Sequence, residues 1–139
     1  KTGTALDCVV NAELLKNIFW NKAPLHDGAV IVRAGRIAGA GCMLPLSGNV
    51  NLSRDLGMRH RAGIGASEHS DAVVAIVSEE TGSISVATGG MLKRHLAPET
   101  LERLLRNELL PEEAEEEKNL NLSGLLSNLI SRGKKEGEE

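Results

Sequence analysis

The chain has 139 residues and a formal net charge of −3, a length that one hydrophobic core can serve without metal or disulfide staples. Its only aromatic residues are Phe19 and Trp20, so the core must be built from Val, Ile, Leu, Ala and Met, and an aromatic platform for single-stranded nucleic acid is excluded. Residues 1–110 carry 12 basic and 11 acidic side chains, a balance that no general nucleic-acid binder shows but that leaves room for a small anionic ligand held by a few local cations.

The opening KTGTALDCVV has no starting methionine and is expected to be cut from a longer protein. Asn11 is placed to cap a helix AELLKNIF, in which Leu14, Leu15, Ile18 and Phe19 recur at helical spacing; Pro24 closes that region. AVIVR (29–33) reads as a strand too apolar to face water on either side. Ala34-Gly35 is a tight turn, and RIAGAGCML (36–44) returns as the second arm of a hairpin. Gly39, Ala40 and Gly41 in that arm leave space where something must approach the backbone closely.

PLSGNVNLS then reads as a loop, and 54–70 as mainly helical despite Gly57, Gly63 and Gly65. Each internal glycine costs a helix about 1 kcal/mol relative to alanine, so close packing or a ligand must account for them. AVVAIVS (72–78) is the clearest buried strand by pattern, EETG turns it, and SISVAT (83–88) alternates as the return strand. PETLERLLRNELL (98–110) is an amphipathic helix with Pro98 and Glu99 at its positive end.

Strands followed by helices, with two hairpins among them, predict a single α/β domain with a mixed central sheet flanked by helices. Residues 111–139 carry 4 basic and 8 acidic side chains and form a distinct acidic tail. In it EEAEEE is expected to be a solvated run, LNLSGLLSNLI one short amphipathic helix, and SRGKKEGEE disordered. Cys8 and Cys42 have neither metal-ligand spacing nor a disulfide framework, so a reducing compartment is the default. No apolar run approaches the about 20 residues that span a bilayer, and no signal-peptide pattern is present.

Three constellations could carry chemistry. LHDG (25–28) puts Asp27 and Gly28 immediately before an apolar strand; such a pair is most often only a turn, but a carboxylate there is also rigidly held. RHR (59–61) flanks His60 with Arg59 and Arg61 near the start of a glycine-rich helix. Solvated surface charge is its bland reading, whereas guanidinium forks beside free helix N–H groups make a phosphate site. SEETG (78–82) places Ser78, Glu79 and Glu80 at a strand's C-terminal end, where turn residues face solvent and metal ligands also collect. Together they supply an acid, a phosphate clamp and hard oxygen ligands, the equipment of phosphoryl or nucleotidyl transfer.

Other patterns fall away. Ser67, His69 and Asp71 stand in hydrolase-like order, yet residues two apart on a helix point to different faces. His95 reads as a surface residue near a helix start, and Gly89-Gly90 has neither the length nor the lysine of a P-loop.

PLHDGAVIV, LPLS, RHRAGIGASE and VSEETGSISVA, in this order and at these intervals, resemble the diadenylate cyclase (DAC) domain, and within it the membrane-anchored bacterial type that makes cyclic di-AMP from two ATP. The resemblance runs from about Gly3 to about Leu110, with the family's first strand expected to be missing. It implies that Asp27 acts on the ribose 3′-hydroxyl, with Gly28 and Ala29 lining the ATP pocket. Arg59, His60, Arg61 and Ser78 would meet the phosphates, and Leu44 would set its backbone against the adenine edge. His26 and one of Glu79 or Glu80 would be the protein ligands of a divalent Mg²⁺ or Mn²⁺. Catalysis would take two facing copies, and anchorage to a bacterial membrane would come from an upstream segment, leaving this domain cytoplasmic.

The chain departs from the pattern where Met43 replaces a tyrosine that stacks on adenine and where Met58 replaces a threonine beside the phosphates. A thioether can still pack against a base, though less specifically. The alternatives are a catalytically impaired module that binds ATP or cyclic di-AMP, and an interaction domain in which the motif residues are surface decoration.

Overall fold

The computed structural model describes residues 2–135. In chain order the elements are β1 (Thr4–Val9), α1 (Ala12–Ile18), β2 (Ala29–Arg33), β3 (Arg36–Cys42), α2 (Met58–Glu68), β4 (Val74–Val77), β5 (Ile84–Thr88), β6 (Met91–Leu96), α3 (Pro98–Leu109) and α4 (Pro111–Lys135). Helices and sheets are interleaved as an α/β chain requires. Where one mixed sheet is expected, however, the hydrogen-bonded strand pairs form two antiparallel ladders, ordered β1-β3-β2 and β4-β5-β6.

The first ladder grows from the hairpin at Ala34-Gly35. Both residues have positive φ (49° and 72°), the conformation that matches the twist of the flanking strands. Arg33 pairs with Arg36 beside this turn and Ala29 with Cys42 at the far end. The opening segment adds β1 along the other edge of β3, with Thr4 opposite Ala40 and Val9 opposite Arg36. Asn11 accepts a hydrogen bond from the Leu14 amide at 2.8 Å and starts α1, whose Ile18 is buried with Ile37 and Ala40.

In the second ladder Val77 pairs with Ile84, and Thr88 with Met91 across the Gly89-Gly90 turn. Helix α2 lies on this ladder, and Leu56, Ile64, Ile76 and Ala87 form a second buried cluster. The glycines of α2 are explained by packing. A Cβ on Gly63 would come 2.6 Å from Ile76 Cδ1, and one on Gly65 would collide with the backbone of Pro45, Leu46 and Ser47.

The two most apolar strands are not the central ones. AVIVR and AVVAIVS read as buried, but β2 and β4 are edge strands, and Val32 and Val77 are each 52% exposed. The centres are β3 and β5, where Ile37, Ala40, Val86 and Ala87 are at most 1% exposed. Small side chains in β3 allow close neighbours on both edges, and that outweighs bulk apolarity in deciding which strand is covered.

The tail also differs from expectation. The acidic run is helical and continuous with the leucine-rich segment, so that α4 runs unbroken through Lys135. Of the nine residues expected without structure, 131–135 continue the helix, and 136–139 lie outside the described residues.

Candidate active site

The mouth of β2 is shaped by glycine. Gly28 has φ of 97°, and a Cβ there would lie 2.8 Å from both Cys42 O and Gly41 C. The Asp27–Gly28 backbone therefore lies flat across Gly41–Cys42 of β3, which is the close approach that the small residues of that strand foretell. His26 completes the turn: its amide donates to Ala23 O at 3.0 Å, and its Nδ1 lies 2.7 Å from the same carbonyl oxygen. With Nδ1 engaged there, Nε2 is the ring atom left for another partner. Asp27 is exposed, and Ala29 behind it is half-buried as β2 begins. The result is an exposed carboxylate on a backbone packed closely against β3.

The three residues of RHR go three ways. Arg59, in the first turn of α2, donates from Nη1 to Val77 O (3.3 Å) and from Nη2 to Glu79 Oε1 (2.8 Å). It thereby joins the helix start to the end of β4, where Ser78 begins the turn. Ser78 Oγ accepts from the Thr81 amide at 3.3 Å, and its own amide donates to Ser83 O at 3.0 Å. Glu80 is exposed beside Glu79. Gly57 stands at the N-cap of α2 without a side-chain cap, so Arg59 and the first-turn N–H groups share one positive end.

His60 points the other way. It is 6% exposed, and its Nε2 lies 3.2 Å from Ser85 Oγ on β5. Burial, followed by the nearby Arg94 guanidinium, pushes its pKa down. Arg61 braces the preceding loop, donating from Nε to Leu56 O (3.2 Å) and from Nη2 to Ser53 O (3.1 Å). In the same loop Asp55 bonds the Ser53 hydroxyl and, at 2.9 Å, Arg94 Nη1; these two partners lower its carboxyl to about 2.

The structure thus brings Arg59, Ser78 and Glu79 together. It places His60 in the core and Arg61 on the loop, and it leaves Asp27 on the other ladder. Met43 and Met58 are both largely exposed, and Leu44 between them in sequence is half-buried. Among the described residues no three His, Cys, Asp or Glu side chains converge on one point. A divalent cation held here would therefore take most of its ligands from groups other than protein side chains.

Two partners escape the sequence reading. Ser85 lies within β5, which is buried on both faces, whereas the alternation of SISVAT marks it as outward-facing, so the local pattern hides this buried hydrogen-bond partner. Asp55 with Arg94 joins residues 39 apart, and nothing in the local pattern links them.

Fold and motifs place the chain among nucleotide-binding α/β domains. A family model described as DAC, DisA bacterial checkpoint controller nucleotide-binding, matches residues 1–92, and the chain belongs to this family. It is 51% identical over 108 residues to the cyclic di-AMP synthase CdaA of Bacillus subtilis (strain 168), covering 78% of this chain and 40% of that protein. A diadenylate cyclase of Listeria monocytogenes serotype 1/2a (strain 10403S) is 47% identical over 110 residues, again 40% of its length. The chain therefore spans about two fifths of the curated relatives it matches. Among solved structures, a double mutant of DacA from Staphylococcus aureus superposes with a TM-score of 0.74 at 48% identity, over 77% of this chain and 71% of that one.

Proposed function

We propose that the protein is a diadenylate cyclase, a metal-dependent nucleotidyltransferase that condenses two ATP into cyclic di-AMP between two facing copies. The observation that carries this reading is the fixed, exposed carboxylate of Asp27, set on the glycine contact between β2 and β3 in a chain whose relatives are named for this activity. Residues 1–110 are the catalytic unit in this reading, and 111–139 an appendage.

Asp27 accepts the proton of a ribose 3′-hydroxyl. The 3′-oxygen then bonds to the α-phosphorus of the opposite ATP, and the bond from that phosphorus to the pyrophosphate oxygen breaks. Two such attacks close the ring and release two pyrophosphates. Arg59, the first-turn N–H groups of α2 and Ser78 hold phosphate oxygens, which requires Arg59 to share or leave Glu79. The backbones of Gly28, Ala29 and Leu44 line the nucleoside, with the Met43 and Met58 thioethers at its edges. His26 and one of Glu79 or Glu80 hold the divalent cation, which when bound offsets phosphate charge. His60 and Arg61 serve this site by fixing α2 and the loop before it. The upstream part of the full protein anchors this domain to the bacterial membrane on its cytoplasmic side; among the described residues no helix is long and apolar enough to cross one.

A catalytically impaired ATP- or cyclic di-AMP-binding module is the second reading, favoured by Arg59 being paired with Glu79 and Arg61 being engaged by the fold. Incubation with ATP and Mn²⁺ or Mg²⁺, read by chromatography, separates the two. Cyclic di-AMP supports the enzyme, ATP binding without product supports the module, and neither result leaves only a scaffold.

A further inference from the structure

The segment 43–47 runs between the two hydrophobic clusters, from the end of β3 to the outer face of α2. At its start the Met43 amide donates to Thr2 Oγ1 at 2.9 Å. At its end Ser47 is held twice: its amide donates to Arg61 O (3.0 Å), and its hydroxyl donates to Glu68 Oε1 (2.5 Å). The same hydroxyl accepts from the Asn49 amide at 3.2 Å. Between these ties the backbone of 45–47 rests on Gly65, which has no side chain to hold it off.

Glu68 is an odd choice for helix stability. It is the last residue of α2, where the helix dipole disfavours an acid, and that last turn contains no basic residue. The side chain is half-buried, no ion pair offsets it among the described residues, and its hydrogen-bond partner there is Ser47. It is also confined from behind, since the Gly89-Gly90 turn is drawn in by Gly90 N–H donating to Ser67 Oγ (3.0 Å), and a Cβ on Gly90 would come 3.1 Å from Glu68 Cγ.

We infer that Glu68 is a positioning residue for nucleotide binding: by holding Ser47 against α2 it sets where Met43 and Leu44 meet the base. This rests on the proposed reading of the site, in which residues 43 and 44 face adenine. A contact to the base is made equally in the ground state and the transition state, so losing its support weakens binding and leaves the chemical step unchanged.

The test measures the Kd of ATP by calorimetry, KM and kcat for cyclic di-AMP formation, and Tm, for Glu68→Ala, Glu68→Gln, Ser47→Ala and the Glu68→Ala/Ser47→Ala double variant. We expect Kd and KM to rise about fivefold to tenfold in each alanine variant, less than the loss of a direct hydrogen bond to a charged group would give because the effect reaches the base only through the backbone, with kcat within about twofold. The double variant should be no worse than Ser47→Ala alone, because that variant already removes the bond to Glu68 together with the one from the Asn49 amide. Glu68→Gln keeps an oxygen that accepts the serine hydroxyl and should recover most of the affinity. Unchanged Kd in Glu68→Ala and Ser47→Ala, additive losses in the double variant, or a joint fall of kcat and Tm without rescue by Gln would each overturn the inference while the wild-type protein still turned over ATP. A wild-type protein that neither binds ATP nor forms product would overturn the functional reading, and the inference with it.

Discussion

At the level of single residues, the motif RHR separates into one exposed cation and two structural side chains, and the consequences of mutation should separate likewise. Arg59→Ala should weaken ATP binding by roughly 1.5–3 kcal/mol, the usual size for hydrogen bonds to charged groups, and should lower Tm less than Arg61→Ala because its bonds to Val77 O and Glu79 are solvent-exposed. Arg61→Ala removes two bonds to the loop carbonyls of Ser53 and Leu56, so its first effect should be a lower Tm. Equal Tm values for the two variants in a thermal melt would contradict this division. Asp27→Asn preserves shape but cannot take a proton, so product formation should fall by about 10²–10⁴-fold with ATP affinity nearly kept; wild-type turnover in that variant would remove Asp27 from the chemistry. His60 makes stability depend on pH. Its folded pKa is depressed by burial, with Arg94 and His95 acting in the same direction and Asp55 against them, so the unfolded chain binds the extra proton more readily. Stability should be full above the unfolded value of about 6.5 and be lost as pH falls through the folded pKa. His60→Gln should flatten the Tm–pH curve in this window, and an unchanged slope would show that another group titrates. The identity of these residues was legible in the sequence, but the direction of their side chains was not, because it depends on Ser85 and on loop carbonyls distant in the chain.

Among the elements, legibility followed how local the deciding interaction is. The Asn11 cap, the Ala34-Gly35 turn and the two hairpins are written within a few residues each. The strands β1 and β6 are not legible in the sequence, because TALDCV and MLKRHL interrupt their apolar residues with charge, as edge strands do. AVIVR and AVVAIVS are the most apolar strands by pattern yet lie at ladder edges; in the first ladder the close approach of backbones, set by the small residues of β3, selects the centre instead. Two substitutions test these elements. Ala34 occupies a left-handed conformation that disfavours a side chain, so Ala34→Gly should stabilise the hairpin by about 0.5–1 kcal/mol despite the added entropy of the unfolded chain. A lower denaturant midpoint for this variant would mean that the turn is not strained. Gly63→Ala drives a methyl group into Ile76 and should cost about 1–3 kcal/mol as overpacking, read by the same denaturant titration; a neutral result would show that α2 can shift on its ladder.

For the molecule as a whole, the proposed reaction is symmetric while one chain offers a single Asp27 and a single Arg59, so a twofold pair is the simplest working unit. Rate per chain should then rise with protein concentration in the micromolar range and reach a plateau. ATP should strengthen the pairing if it lies at the contact. Strict proportionality of rate to protein, from a species that stays monomeric with ATP in the ultracentrifuge, would exclude face-to-face catalysis. A different consequence follows from the division of the interior into one cluster around Ile18, Ile37 and Ala40 and another around Leu56, Ile64, Ile76 and Ala87. Asp27 stands on the first and Arg59 on the second, so each core can open as its own cooperative unit while the other persists. In native-state hydrogen exchange, the amides of β3 and β5 should then report two distinct opening free energies in the free protein. A nucleotide that touches both units would be lost whichever one opens, and ATP should raise both values together. The substrate would then be part of what makes the chain unfold as one body.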